Sequence, residues 1–575
     1  MSDSHDKVKG IGCGVFLILI GVALVADRMG WISFKAVWFL PAVFIALGVA
    51  VDRVGRRIGV RRVEEIVELP VVSLNPCIAY LNKTQPADID TGFLGYIANL
   101  CEVAKRAPEV ARAIVQELAD QRAYLKLIAS ENYCSLAAQL AMGNLLTDKY
   151  AEGVPGLRYY EGCDNVDAVE AYACAQACKL FGCDHAYVQP HSGADANLIA
   201  YWAVLQARVE VPELAALGLT DPMKATREEW GRIRAALGNQ RLLGMDYYSG
   251  GHLTHGYRRN VSAKMFDSYN YGVNRETNRI DYDELETMAL EIKPLILLAG
   301  YSSYPRHINF RRMRDIADRA GAIFMVDMAH FAGLVAGGVF EGDHNPIPHA
   351  HIVTSTTHKS LRGPRGGFVL CTSEFAEFVD KGCPLVIGGP LGNMLAAKAV
   401  AFTEANQPEF KAYARRIAEN ARALAQGCMD EGLKLSTDGT DNHLMLIDVR
   451  PLGLTGRQGA GALRECGITC NSNSLPYDTH GPLITSGVRI GTPAATTLGM
   501  GPSEMREIAR IIRLALAHTQ GGRIESGPNA GKPSKTKHVI DPAALNETRR
   551  AVQVLLDRFP VYPQLDLAFL QRHFA

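Results

Sequence analysis

Lys359 and Asp327 are the residues of this chain best suited to covalent and acid–base chemistry. Lys359 lies within Thr354-Ser-Thr-Thr-His-Lys-Ser-Leu-Arg-Gly-Pro-Arg-Gly-Gly367, between two short apolar runs, which places it on a turn between strands. An amine flanked by hydroxyls, His358 and glycines has room for a planar ligand, and partial burial depresses its pKa towards the nucleophilic neutral form. Taken alone, a lysine in a loop is more often a solvated charge. Asp327 ends the apolar run of Phe324-Met-Val-Asp-Met-Ala-His330, where an unpaired carboxylate is costly. A pyridinium nitrogen would satisfy it, and that pairing keeps such a ring electron-withdrawing. His330, three residues on, can face the same ligand. The plain alternative for Asp327 is the cap of a following helix; Lys359 downstream favours the ligand reading.

Pro190-His-Ser-Gly-Ala-Asp-Ala-Asn197 follows a short strand and opens an apolar helix. Backbone N–H groups at such a turn form an anion site, with Ser192 and Gly193 as the phosphate contacts. An ordinary strand-to-helix turn is the bland alternative. In Gly250-Gly-His-Leu-Thr-His-Gly256 a flat imidazole, His252, stands beside two glycines and can stack on a ring. The two histidines could instead suggest a metal, but no carboxylate or cysteine nearby completes a ligand set, and no metal is expected. Gly388-Gly-Pro390 offers a second backbone nest. Cys174, Cys178, Cys183 and His185 are a tempting cluster, yet they sit among alanines typical of a packed helix, where free cysteine acts as a small hydrophobe.

The elements that must position these residues alternate between strand and helix from about 150 to 405, as in a parallel α/β sheet. Strands are expected at Ala186–Gln189, Leu295–Leu298, Ala322–Val326, Ile352–Thr354 and Gly367–Cys371. An amphipathic helix precedes them from Pro108 to Ile128. A long helical stretch from Leu391 to Cys428 leads into a second α/β segment with strands at His443–Val449 and Gly487–Gly491. Residues 519–538, rich in Gly, Pro, Ser and Lys, read as a mobile loop or linker, and a helix from Asp541 to Arg558 follows. The expected division is 1–65, a two-helix membrane hairpin; 66–149, a connector and N-terminal helical arm; 150–405, the ligand-binding large domain; and 406–575, a small C-terminal domain.

The hairpin rests on two apolar runs, Ile11–Ala26 and Ala36–Val51, each near the short limit for spanning the ~30 Å of bilayer hydrocarbon. Arg53, Arg56, Arg57, Arg61 and Arg62 follow, which places both ends in the cytoplasm and gives an expected membrane contact through residues 11–51. An unrelated fused segment is the alternative. Lys+Arg and Asp+Glu balance at 60 each, so nucleic acid is not an expected partner. The 13 cysteines, with no C-x-x-C pair, suit a reducing compartment.

A strand ending in Asp, then a strand followed by His-Lys, is the order of fold-type I pyridoxal-phosphate enzymes. With Ile128-Ala-Ser-Glu-Asn132, Asp148-Lys-Tyr-Ala-Glu-Gly153 and Arg158-Tyr-Tyr160, the segments above resemble serine hydroxymethyltransferase from about residue 108 to 518. Within that family the chain looks closest to a longer bacterial subtype carrying an insertion near 208–247. The resemblance implies an α/β fold-type I transferase with a mostly parallel-stranded large domain and a smaller C-terminal α/β domain. It implies pyridoxal 5'-phosphate as cofactor, tetrahydrofolate as co-substrate, serine and glycine as substrates, and a homodimer with active sites shared across its interface. Lys359 would then be the Schiff-base lysine, Asp327 the partner of the ring nitrogen, His252 the stacking residue, and His330 a neighbour of the ring hydroxyl. Ser192, Gly193, Ser302 and Thr356 would complete the cofactor site, with Tyr150, Gly388 and Gly389 contributed across the dimer. Arg489, in Thr485-Ser-Gly-Val-Arg-Ile-Gly491, would clamp the substrate carboxylate, with Ser130 and Tyr160 beside it. Glu152 would move the proton as the hydroxymethyl group is transferred. Tyr159, Tyr247, Gly251 and Asn473 would meet the folate.

Three departures qualify the likeness: Ala194 where a phosphate-binding serine is common, Tyr247 in place of an apolar residue, and about 95 N-terminal residues without a family counterpart. The rival readings are a threonine-type aldolase that needs no folate and a membrane-tethered scaffold built on a dead enzyme. Glu152 and Asn473 argue against the first, and intact Lys359, Asp327 and Arg489 against the second.

Overall fold

The computed structural model describes residues 75–575. The expected hairpin lies outside the described residues; among those described, no helix is long and apolar enough to cross a membrane.

Seven strands make the larger sheet: β1 (His185–Tyr187), β2 (Arg241–Met245), β3 (Asp267–Tyr271), β4 (Ile296–Gly300), β5 (Ile323–Asp327), β6 (Ile352–Thr356) and β7 (Gly367–Cys371). Their spatial order is β1-β7-β6-β5-β4-β2-β3. β2 to β6 pair in parallel, and β7 runs antiparallel to both β6 and β1. β4, β5 and β7 read as apolar runs because both faces are covered. Ile323 and Met325 pack with Leu298 and Ile352 on one face, while Phe324 and Val326 join Leu297 and Val353 on the other. Asp327 is therefore the last residue of a central strand, paired with Thr354 and Gly300, at the edge where open α/β sheets bind ligands.

Sequence reading missed β2 and β3. β2 is interrupted by Gly244, where an added Cβ would meet the His255 carbonyl oxygen at 2.6 Å, so the glycine serves the close approach of the 252–256 loop. β3 (Asp-Ser-Tyr-Asn-Tyr) is an edge strand with polar residues and lacks the apolar signal. The expected continuous helix over Leu391–Cys428 is two helices, Gly392–Ala405 and Pro408–Asp430, because Pro408 starts a new helix rather than continuing one. The helix expected over Pro108–Ile128 stops at Ala123.

A second sheet, β8 (Lys434–Leu435), β9 (Leu444–Asp448), β10 (Asn471–Asn473) and β11 (Gly487–Gly491), is antiparallel in the order β8-β9-β11-β10 and carries Arg489 on β11. Residues 519–538 do not form the loop expected of them. Thr519–Arg523 and Pro533–Ile540 pair as an antiparallel hairpin, which is held by Gln458 donating to the Ser534 and Lys537 carbonyls. The helices before the large sheet are closed off by the C-terminal segment. Arg122 donates to the carbonyls of Val561, Tyr562 and Leu565, and Phe93, Ile97 and Leu118 pack with Phe569 and Leu570.

Candidate active site

A cavity of about 510 Å³ opens at the ends of β5 and β6, with β10 and β11 contributing its other wall. Ser130, Ser192, Gly193, Tyr247, Gly251, His252, Ser302, Asp327, His330, Thr356, Lys359, Asn473 and Arg489 all line it. Thirteen residues expected to share one site thus share one cavity.

Lys359 faces this space, and among the described residues its Nζ has no hydrogen-bond partner. Burial pushes the amine down to about 8; Asp327 pulls the other way, and Arg489 and Arg365 add to the fall. For Asp327, burial alone would raise the carboxyl, but the hydrogen bond and charge of His255, followed by His252 and Lys359, hold it well below the usual carboxylate range. Asp327 Oδ2 accepts from Asn197 Nδ2 at 2.9 Å and lies 3.3 Å from His255 Nε2, and Oδ1 accepts from the Ala329 N–H at 3.0 Å. Burial pushes His252 down to about 4 and His330 well below the normal imidazole range, so both are neutral near pH 7. Arg489 Nε donates to Asn471 Oδ1 at 3.0 Å and Nη1 to the Ser302 carbonyl at 2.6 Å, which holds the guanidinium at the cavity wall.

The helix after β1 begins at Gly193 and runs to Leu205, with Ser192 as its N-cap; the Ser192 hydroxyl accepts from the Asp195 N–H at 3.2 Å. Its free first-turn N–H groups provide an anion site. An added Cβ at Gly193 would meet Thr356 Cγ2 at 2.7 Å, so this wall admits no side chain. An unpartnered amine of lowered pKa, a buried anion, neutral imidazoles and a helix N-terminus fit a flat cationic heteroaromatic aldehyde that carries a phosphate.

Glu152, Tyr150, Tyr159, Tyr160, Gly388 and Gly389 are not among the cavity's lining residues. They gather separately: Tyr160 Oη donates to Glu152 Oε2 at 3.2 Å, Tyr150 stacks edge-on against Tyr160, and an added Cβ at Gly389 would lie 3.4 Å from the Tyr150 ring. Tyr150 and Tyr159 are exposed, at 60% and 72%. A single chain therefore holds the expected catalytic set in two pieces.

The serine hydroxymethyltransferase family model matches residues 103–221 and 234–512. The chain belongs to the serine hydroxymethyltransferase family. It is 58% identical over 497 residues to a serine hydroxymethyltransferase of Treponema pallidum, covering 86% of each chain. It is 57% identical over 460 residues to that of Salinispora tropica, covering 80% of this chain and 95% of the relative. Against that of Chlamydia trachomatis serovar D it is 48% identical over 479 residues, covering 83% and 95%. The Treponema alignment, at 497 residues, is longer than the 480 that follow position 95, so about 17 or more of the first 95 residues have a counterpart there, and the expectation that none does is corrected to that extent. Residues 222–233, left unmatched by the family model, fall inside the expected 208–247 insertion.

Sequence reading missed His255, Asn197 and Thr254, which hold Asp327 and His252 in place: Asn197 Nδ2 also donates to Thr254 Oγ1 at 2.8 Å, and Thr254 Oγ1 lies 2.7 Å from His252 Nδ1. A signal existed for Asn197, which stands one helical turn after Gly193 and so shares its face. Contrary to expectation, a carboxylate does stand beside His252 and His255. Asp327, distant in sequence, joins them in a group whose ligand atoms lie within 4.8 Å of one another. The Cys174–Cys178–Cys183–His185 cluster does not converge: Cys178 and Cys183 touch at 3.8 Å, whereas His185 Nε2 pairs with Asp380 at 2.7 Å.

Proposed function

We propose that this family member is a pyridoxal-phosphate-dependent serine hydroxymethyltransferase. It interconverts serine and glycine, with tetrahydrofolate accepting the one-carbon unit to give 5,10-methylenetetrahydrofolate. The observation that carries this reading is Lys359 and Asp327 on one cavity, in a chain 58% identical to a relative of that name.

Lys359 would hold the cofactor covalently and Asp327 its ring nitrogen, with His252 against the ring and His330 by its hydroxyl. Ser192, Gly193, Ser302 and Thr356 would complete the site, and Tyr150, Gly388 and Gly389 would come from a second copy. When bound, pyridoxal phosphate supplies an electron sink for negative charge at the substrate's α-carbon. Arg489 binds and orients the substrate carboxylate, with Ser130 and Tyr160 beside it, and so fixes which α-carbon bond is broken. Lys359, with a pKa lowered to about 8, gives up or takes a proton at its Nζ near neutral pH. Glu152 of the second copy handles the proton at the serine hydroxyl oxygen, and Tyr159, Tyr247, Gly251 and Asn473 line the folate side.

At the scale of the chain, we read 66–149 as the arm, 150–405 as the cofactor-binding large domain and 406–575 as the small domain of a homodimer. We further propose that residues 11–51 contact a membrane and tether a cytoplasmic catalytic body to it. The two apolar runs and the arginines after them support this, and flotation of the full chain with liposomes tests it: a chain that stays at the bottom of the gradient contradicts the tether. The test of the activity is glycine release from serine by the purified protein, with and without tetrahydrofolate. Release that requires folate supports the proposal. Folate-indifferent cleavage of threonine would assign the chain to the aldolases, and absence of a visible cofactor band would defeat both readings.

A further inference from the structure

Lys398 is a buried amine to which the mechanism above gives no role. It stands on the helix Gly392–Ala405 and is 1% exposed. Its Nζ donates to three backbone carbonyls, those of Val188 at 2.6 Å, Pro190 at 2.8 Å and Gly367 at 2.9 Å. Three acceptors match the three donors of an ammonium; a neutral amine would leave one carbonyl unserved. Burying such a group is costly when an apolar side chain could fill the same space, so its presence calls for a reason beyond packing.

The three carbonyls belong to the two segments that frame the cavity. Val188 and Pro190 lead from β1 into the turn of Ser192 and Gly193, and Gly367 opens β7, just after the Lys359 loop. The segments also meet each other, because the Gly367 N–H donates to the Pro190 carbonyl at 3.0 Å. There is no spare room: an added Cβ at Gly366 would lie 2.4 Å from Lys398 Cε, and one at Gly367 would lie 2.2 Å from the Ser192 carbonyl oxygen. A peptide whose carbonyl faces Lys398 presents its N–H on the other side. Holding the carbonyls inward therefore turns negative dipole ends away from any anion bound at the turn.

The same spot connects to Glu152. Burial pushes the Lys398 amine down to about 7, and Glu170, 1% exposed, is the carboxylate that most opposes this fall; it accepts from Arg158 at 2.6 Å and from Gln189 at 2.7 Å. Arg158 and Gln189 in turn donate to the Gly153 carbonyl, and Arg158 also to that of Ala151, on either side of Glu152.

We propose that Lys398 is a positioning residue for the phosphate end of the cofactor, fixing the Pro190–Gly193 turn before the ligand arrives. This rests on the reading of the cavity as a pyridoxal-phosphate site. The test compares apoprotein binding of pyridoxal phosphate with binding of pyridoxal, which lacks the phosphate, in the wild type, Lys398→Met and Lys398→Gln. Folding of each apoprotein is checked by circular dichroism and thermal melting.

The expected result for Lys398→Met is at least about a tenfold loss of affinity for pyridoxal phosphate and little change for pyridoxal. Lys398→Gln, which keeps two N–H donors, should fall between it and the wild type. Equal losses for both ligands, or no loss, in a folded variant would overturn the proposal. So would failure of both variants to fold, which would make Lys398 a residue of the core. A wild-type chain that binds neither ligand would instead defeat the cofactor reading itself.

Discussion

The chemistry of the cavity depends on two buried groups with opposed needs. Lys359 must lose a proton to become a nucleophile, and Asp327 must keep its charge to stabilise a cationic ring. Burial pushes Lys359 down to about 8 from its ordinary 10.5, while Asp327 resists that fall. Below pH 8 the amine is mostly protonated, so loading of the apoprotein with pyridoxal phosphate should quicken roughly tenfold per pH unit up to about 8 and then level off. Asp327→Asn removes the group that favours the ammonium, so its plateau should begin at lower pH; stopped-flow absorbance measures both profiles. Arg489→Lys keeps the charge but loses the planar fork. It should raise the serine KM about a hundredfold, equivalent to about 2–3 kcal/mol, with a much smaller change in kcat. Lys359 and Asp327 were legible in the sequence because each stands at or just past a strand end, whereas Arg489, in the middle of β11, came from the family resemblance alone. His255 and Asn197 were not read as site residues because their partner, Asp327, is 72 and 130 positions away.

Elements bring these residues together by allowing backbone to approach backbone. Gly300, last residue of β4, has φ 115°, and an added Cβ would lie 2.1 Å from the Asp327 carbonyl oxygen. Gly300→Ala should therefore cost at least about 2 kcal/mol and also weaken cofactor binding, because it displaces the strand end that carries Asp327. Gly321 has φ 71° but open space around its Cβ position. Gly321→Ala should cost only about 1 kcal/mol and leave cofactor affinity unchanged. Thermal melting and cofactor titration of the two variants separate strain from collision. The buried strands β5, β6 and β7 could be read from sequence because apolar runs bounded by turns are strong signals. β2 could not, since its Gly244 answers to a loop that folds back over it, and residues 519–538 were misread because their composition resembles a linker while their pairing partner is local.

At the scale of the whole chain the expected catalytic set is divided: Lys359 and Arg489 line the cavity, whereas Glu152, Tyr150 and Tyr159 are not among its lining residues and the two tyrosines are exposed. If a second copy brings Glu152 to the cavity, a mixture of two inactive variants should recover activity. After equimolar unfolding and refolding together, Lys359→Ala and Glu152→Gln chains should regain about a quarter of wild-type turnover, since half the dimers are mixed and each mixed dimer has one intact site. No recovery would place both residues in the same subunit's site. Borohydride reduction of the pyridoxal-phosphate-loaded protein, followed by peptide mass mapping, shows whether Lys359 carries the cofactor. One phosphopyridoxyl group per chain is expected, on the peptide containing Lys359. A label on another lysine, or no stable label at all, would contradict it.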